Sequence, residues 1–215
     1  MRLVAALALM VAGGGCRSAD AARELRGDDG DLLVQLVDAA VADHAPPARD
    51  GENEALRIRV ATETPPAGYV LVNVRLQSSE KHGHILLLSD PISGRLLPLF
   101  VSGTEGRSLD LRLRKQRFER PLTHDLLDAA LVELGGKVVR AQVDELVDGT
   151  FHGSLVLVAN GRTVRLDARP SDAVALAVGA EAAVVVSADV MQARGLSVED
   201  LARAHEHASA EPIAL

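Results

Sequence analysis

Val138 to Ala168 reads VVRAQVDELVDGTFHGSLVLVANGRTVRLDA. The stretch divides into the runs Val138–Val147, Thr150–Val158 and Thr163–Ala168, separated by Asp148-Gly149 and Asn160-Gly161. Tight β-hairpin turns need positive φ at both central residues, which Asn, Asp and Gly tolerate best, so three antiparallel strands in succession are expected. Directly after them Pro170 opens a helix carrying Ala173, Val174, Leu176, Ala177 and Val178, with proline at its favoured first position. Ala183–Val186 reads as a short buried strand. Helices are expected at Ala188–Ala193 and from Val198 to His207.

Upstream, Gly135-Gly136 ends a helix over His124–Leu134, where Leu126, Leu127, Ala130, Leu131 and Leu134 make one apolar face. From Val70 to Leu76 apolar residues alternate with others as in one strand. Ile85–Leu88 and Leu96–Val101 are two more, around the turn residues Asp90, Pro91, Ser93 and Gly94. Between them and the helix, Leu109, Leu111 and Leu113 alternate with Asp110, Arg112 and Arg114, which is strand periodicity. Arg95–Val101 and Thr163–Ala168 each feed a polar turn, a hint of internal duplication at low identity. The fold class expected is α+β: a single domain with a mixed, largely antiparallel sheet packed by helices.

The 215 residues are 47% apolar and 25% charged, enough for one domain with appendages and a sizeable core, and unlike a disordered chain. The net charge of −7 excludes a strongly basic nucleic-acid binder. Most of that acidity lies upstream, however: residues 17–68 carry −5 and residues 69–215 only −3. Three Phe, one Tyr and no Trp argue against a surface that stacks bases on a row of rings, so contact with a polynucleotide would run through phosphates. A single Cys excludes a disulfide framework and a Cys-rich zinc site within one chain.

That cysteine is informative about location. Arg2, an apolar run from Leu3 to Ala12, then Gly13-Gly14-Gly15-Cys16 resemble a bacterial lipoprotein signal, with Cys16 lipidated. Gly13 departs from the aliphatic residue usual there. The expectation is an exported, lipid-anchored protein of the cell envelope, with a secreted or periplasmic protein as the alternative. The chain then divides into a signal at 1–15, a tether at 16–68 with a short helix and strand, a main domain at 69–200, and a C-terminal helix end and tail at 201–215.

Three blocks carry a resemblance: RPLTHDLL at Arg120–Leu127, DGTF at Asp148–Phe151 and DARPSDA at Asp167–Ala173. In this order and spacing they resemble the bifunctional nuclease domain family, from about Val70 to Gly195. The resemblance implies an α+β domain. Plant members are associated with cleavage of both DNA and RNA, and the family motif assigns no proven catalytic residues. The segment 105–116 aligns with a family helix. Glu105 matches an acidic family position there, whereas Arg107 replaces a second acidic residue.

Phosphodiester hydrolysis needs an activated water and stabilised phosphoryl charge. His124, Asp125, Asp167 and Asp172 are the candidate bases or metal ligands, and Asp125, Asp172 and Glu105 are the candidate holders of a Mg²⁺ or Mn²⁺ cofactor. Arg120 and Arg169 are candidate phosphate clamps, since guanidinium pairs bidentately with phosphate. Arg107, Arg112, Arg114, Lys115, Arg117 and Arg120 form a stripe of local charge +4 that could meet DNA or RNA. Each has a structural alternative. Thr123 suits an N-cap with a Leu122–Leu127 staple, Asp125 and Asp172 suit first helical turns, and Ser102 to Glu105 suits a capping box. Asp167 and Arg169 suit an ion pair, and the stripe suits a solvated face or a contact between subunits. His82-Gly83-His84 and His205-Glu206-His207 have metal-ligand spacing but read better as solvated histidines. Two functions stay open: a nuclease-family enzyme, and a non-catalytic envelope lipoprotein module for binding or assembly, including a homo-oligomer.

Overall fold

A computed structural model describes residues 64–79, 83–197 and 199–200. The signal, Cys16, most of the tether, His82 and the C-terminal helix end lie outside the described residues. The three strands of the opening stretch form as expected: β5 (Gly136–Val147), β6 (Thr150–Ala159) and β7 (Arg162–Ala168). Asp148, Gly149, Asn160 and Gly161 all take positive φ at the two turns. The remaining strands are β1 (Tyr69–Leu71), β2 (Asn73–Ser79), β3 (Gly83–Ser89), β4 (Leu96–Val101) and β8 (Ala183–Ser187). The helices are α1 (Gly103–Leu113), α2 (Thr123–Glu133), α3 (Pro170–Gly179) and α4 (Ala188–Arg194).

The fold is α+β, with the strands in two sheets rather than one. The first has the order β1-β8-β5-β6-β7, the second β2-β3-β4. Among the described residues β5–β8 is the one parallel strand pair and the rest are antiparallel. The run Val70–Leu76 is not a single strand. β1 pairs with β8 in the larger sheet, β2 pairs with β3 in the smaller one, and Val72 sits at the crossing, its N–H donating to the Val184 carbonyl at 3.1 Å.

Helices α1 and α3 lie in the core between these sheets. Leu109 and Leu113 of α1 and all of Ala173–Val178 of α3 are buried. They share one cluster with Leu86, Leu88, Leu97 and Leu99 of the smaller sheet and Ala141, Val143, Leu155 and Val184 of the larger. Helix α3 is apolar on all sides because it is covered on all sides. Gly153 of β6 admits α3 closely: a Cβ there would stand 3.3 Å from the Pro170 Cα and 2.7 Å from the Gln142 carbonyl oxygen.

Segment 105–116, left open between strand periodicity and a family helix, is helical in α1. Only Leu109 and Leu113 of its three leucines are buried, an i,i+4 pair, and Gly106, Ser108 and Arg112 fill the rest of the inward face. Helix α2 forms where expected, but none of its residues is buried, and Leu126, Leu127 and Leu134 are 66%, 43% and 74% exposed. Its inward side is His124, Asp125, Asp128 and Leu131.

The hint of duplication has a structural counterpart. β2-β3-β4-α1 and β5-β6-β7-α3 are each an antiparallel meander followed by a helix. Glu105 and Asp172 occupy the same third position of those two helices.

Candidate functional site

The starts of α1 and α3 converge, and their acidic third residues meet one guanidinium. Arg169 Nε donates to Asp172 Oδ2 at 2.7 Å and Arg169 Nη2 to Glu105 Oε1 at 2.7 Å and Asp172 Oδ1 at 3.2 Å. Asp172 Oδ1 also faces His124 Nε2 at 3.2 Å, and His124 Nδ1 lies 2.9 Å from Ser108 Oγ. The contacts are satisfied when Nε2–H donates to Asp172 and Ser108 O–H donates to Nδ1. Residues from α1, α2 and the start of α3 thus form one chain, Glu105–Arg169–Asp172–His124–Ser108. The Arg169 hydrogen bond holds the Glu105 carboxyl below the usual carboxylate range. Hydrogen bonds to Asp172 and then Glu105 raise the already high pKa of Arg169. Both groups are charged at neutral pH.

Two of these residues, Glu105 and Arg169, line a groove of about 450 Å³, with Asp172 and His124 behind them. Its walls come from the end of β4 (Pro98 to Val101), from Leu146 and Phe151 near the β5–β6 turn, and from Glu105, Arg169 and Ser171 at the helix starts. Arg169 is 65% exposed, and its Nη1 carries no partner among the described residues.

The other candidates fall elsewhere. Asp125 is turned away from the groove cluster: its Oδ1 accepts from Arg112 Nη2 at 2.9 Å and its Oδ2 from the Leu122 N–H at 2.9 Å. Arg112 also donates from Nη1 to Asp128 Oδ2 at 2.7 Å and to the Ala175 carbonyl at 3.1 Å. Arg112 is therefore buried and is not part of an exposed stripe. Gly179 makes room for it, since a Cβ there would collide with Arg112 Nη1. Asp167 is exposed on β7 opposite Ser154 and joins no described hydrogen bond or ion pair.

The remaining stripe is largely paired. Arg114 bonds Asp110 at 2.9 Å, Lys115 bonds Glu181 at 2.8 Å, and Arg107 lies 5.0 Å over the Phe118 ring. Arg117 and Arg120 are exposed without a partner among the described residues. Helix caps differ from expectation too. Leu122 rather than Thr123 is the N-cap of α2, and Ser102 caps α1 without a side-chain hydrogen bond, which leaves Glu105 to Arg169. His84 contacts Ser78 Oγ through Nδ1 at 2.8 Å and packs where a Cβ on Gly106 would collide with its ring.

The donor set does not fit a resident divalent ion. Among the described residues no group of three His, Cys, Asp or Glu side chains is placed to hold an ion. Hard cations need open carboxylate oxygens, whereas Asp172 gives both of its oxygens to Arg169 and His124. The Arg169 guanidinium fills the cation position between Glu105 and Asp172.

Sequence reasoning missed Ser108, Asp128, Phe100 and Phe151. Ser108 and Asp128 carry no local signal, since only the packing of three helices gives them partners. For the two phenylalanines the scarcity of rings was the available signal.

Residues 86–199 match the family model described as bifunctional nuclease domain. An uncharacterized protein of Mycobacterium tuberculosis is 29% identical over 130 residues, which is 60% of this chain and 77% of that protein. Bifunctional nuclease 1 of Oryza sativa subsp. indica is 28% identical over 153 residues, 70% of this chain and 43% of that protein. The bifunctional nuclease of Oryza minuta matches to the same extent, 28% over 153 residues, 70% of this chain and 43% of its own length.

Proposed function

This chain belongs to the bifunctional nuclease domain family, and from that premise we propose that it binds DNA or RNA at the groove beside Arg169 and hydrolyses the phosphodiester held there. The observation that carries the reading is the pair Glu105 and Arg169 on the groove wall, with Arg169 held from behind by Asp172 and His124. Arg169 is fixed by two carboxylates and offers its remaining Nη1 edge to a phosphate oxygen, where it counters the charge that builds up in the transition state. Glu105, ionised and on the groove wall, orients the attacking water. As the water oxygen bonds to phosphorus and the P–O bond to the departing sugar oxygen breaks, Glu105 takes the water's proton and hands it to that leaving oxygen. Asp172 is a positioning residue that holds Arg169 from one side, with His124 fixed behind it. Ser108, His124 and Asp172 have the order of a nucleophile, base and orienting acid. Ser108 is buried and does not line the groove, so its hydroxyl serves to fix the imidazole.

The test is incubation of the full chain with single-stranded DNA and RNA, with Mg²⁺, Mn²⁺ or chelator, beside Arg169→Gln and Glu105→Gln. Cleavage at least tenfold above both variants is expected. Equal product from all three proteins refutes the reading.

A second reading, assembly, rests on α2. Its exposed Leu126, Leu127 and Ala130, with Leu134 directly after its last turn, form an apolar stripe that a second copy of the chain would cover. Sedimentation of the wild-type chain as a monomer at micromolar concentration refutes it. For location, the Cys16 pattern supports a lipid anchor in the cell envelope, and palmitate labelling that persists in Cys16→Ala refutes that.

A further inference from the structure

We infer that the groove seats one unstacked base, so that the substrate is an unpaired nucleotide in a DNA or RNA strand rather than a step of intact duplex. This deepens the nucleic-acid reading above and rests on it. The chain has four aromatic side chains in all, three Phe and one Tyr, and two of them, Phe100 and Phe151, line this single groove. They come from different sheets, Phe100 from β4 and Phe151 from β6, so the fold and not the sequence brings them together. Pro98, Val101 and Leu146 complete an apolar wall, and the Arg169 cation stands at the same groove. The volume of about 450 Å³ falls in the range of small-molecule sites.

A nucleotide has the matching form, with a flat apolar base joined to an anionic phosphate. Bases stack on such rings regardless of sequence, because every base has a π-face. A row of rings remains excluded by composition; one base seat needs only the two that are present. A base inside a duplex can enter only by leaving the stack, which has a free-energy cost that an unpaired or terminal nucleotide does not bear.

The experiment is binding of the full chain, in chelator at low temperature, to three labelled probes: an oligothymidylate, an abasic strand of equal length, and a blunt duplex. Oligothymidylate is expected to bind roughly 5- to 150-fold tighter than the abasic strand, the range of base–aromatic stacking. Phe100→Leu and Phe151→Leu should bring oligothymidylate towards the abasic affinity and leave abasic binding unchanged. Arg169→Gln should weaken both strands alike. Equal binding of the two strands by the wild-type chain, or duplex bound as tightly as oligothymidylate, overturns the base seat and leaves the phosphate reading standing. Failure to bind any probe overturns both. The comparison of strands needs no variant, so it decides the matter even if a phenylalanine substitution unfolds the protein.

Discussion

Replacing Arg112 with methionine separates its two readings, phosphate contact and internal cation. The guanidinium is buried, with 6% of the side chain exposed, and its partners are Asp125 at 2.9 Å, Asp128 at 2.7 Å and the Ala175 carbonyl at 3.1 Å. Methionine keeps much of the apolar stem but leaves two carboxylates facing a gap. Breaking a fully buried pair costs about 3–5 kcal/mol. Here the acids keep 26% and 30% of their side-chain surface exposed, so water recovers part of the loss and about 2–4 kcal/mol remains. At about 3–5 °C per kcal/mol for a domain of this size, Tm falls by about 6–20 °C. Gly179→Ala attacks the same contact from α3, since its methyl overlaps Arg112 Nη1 and stands 3.0 Å from Asp128 Oδ2. Its effect should shrink in the Arg112→Met background, because both changes remove one interaction. Thermal melts by circular dichroism, run beside binding of a labelled single strand, check both. A Tm for Arg112→Met within about 2 °C of wild type, a shift worth less than 1 kcal/mol, together with lost binding, refutes the internal role.

Three further outcomes follow from other contacts in the domain. Burial alone would raise the Asp144 pKa, but hydrogen bonds from Tyr69, Arg165 and Ser154 outweigh it and hold the carboxyl below its usual value. Its stabilising contribution is therefore complete above roughly pH 4 and is lost as pH falls through the lowered value, so Tm against pH should have a flatter acid limb in Asp144→Asn. Asp172→Asn should lose most cleavage, while Asp167→Asn retains it in the same single-strand assay, since Asp172 holds Arg169 and Asp167 has no described partner. Gly106→Ala drives a methyl into the His84 ring, so urea unfolding should show a loss of about 1–3 kcal/mol, the usual cost of overpacking.

The sequence disclosed what local chemistry determines. The hairpins β5-β6 and β6-β7 were legible because positive φ at Asp148-Gly149 and Asn160-Gly161 is a property of those residues. The start of α3 was legible because proline at the first helical position is one too. Tertiary partners decided the rest. Nothing in the alternation of Val70–Leu76 marks Val72 as the point where the chain changes sheets. Helix α1 escaped because its inward face includes Gly106, Ser108 and Arg112, which hydropathy assigns to solvent. Helix α2 was found from its leucines, yet it attaches through His124, Asp125 and Asp128, and most of its leucines point outward. For the site, the RPLTHDLL and DARPSDA blocks marked the right neighbourhoods. The division between them was not legible: His124 joins Asp172, whereas its neighbour Asp125 turns to Arg112.

Arg169 breaks a local rule, and that helps to explain the placement of the site. It is the N-cap of α3, makes no side-chain cap hydrogen bond, and puts a cation at the positive end of a helix dipole. Serine or aspartate there would stabilise the helix by about 1 kcal/mol. The two meanders place Glu105 and Asp172 where they offset the misplaced charge, and violations of this kind are expected where function is served. Arg169→Ser tests the point. It removes ion pairs in which the arginine is 65% exposed, worth about 0–1 kcal/mol each, and restores a cap of similar size. Tm should therefore stay within about 5 °C of wild type, a shift of roughly 1 kcal/mol, while strand binding is lost. A large fall in Tm with binding intact would make Arg169 a structural tie between α1 and α3, and the groove would lose its cation as a reason to hold phosphate.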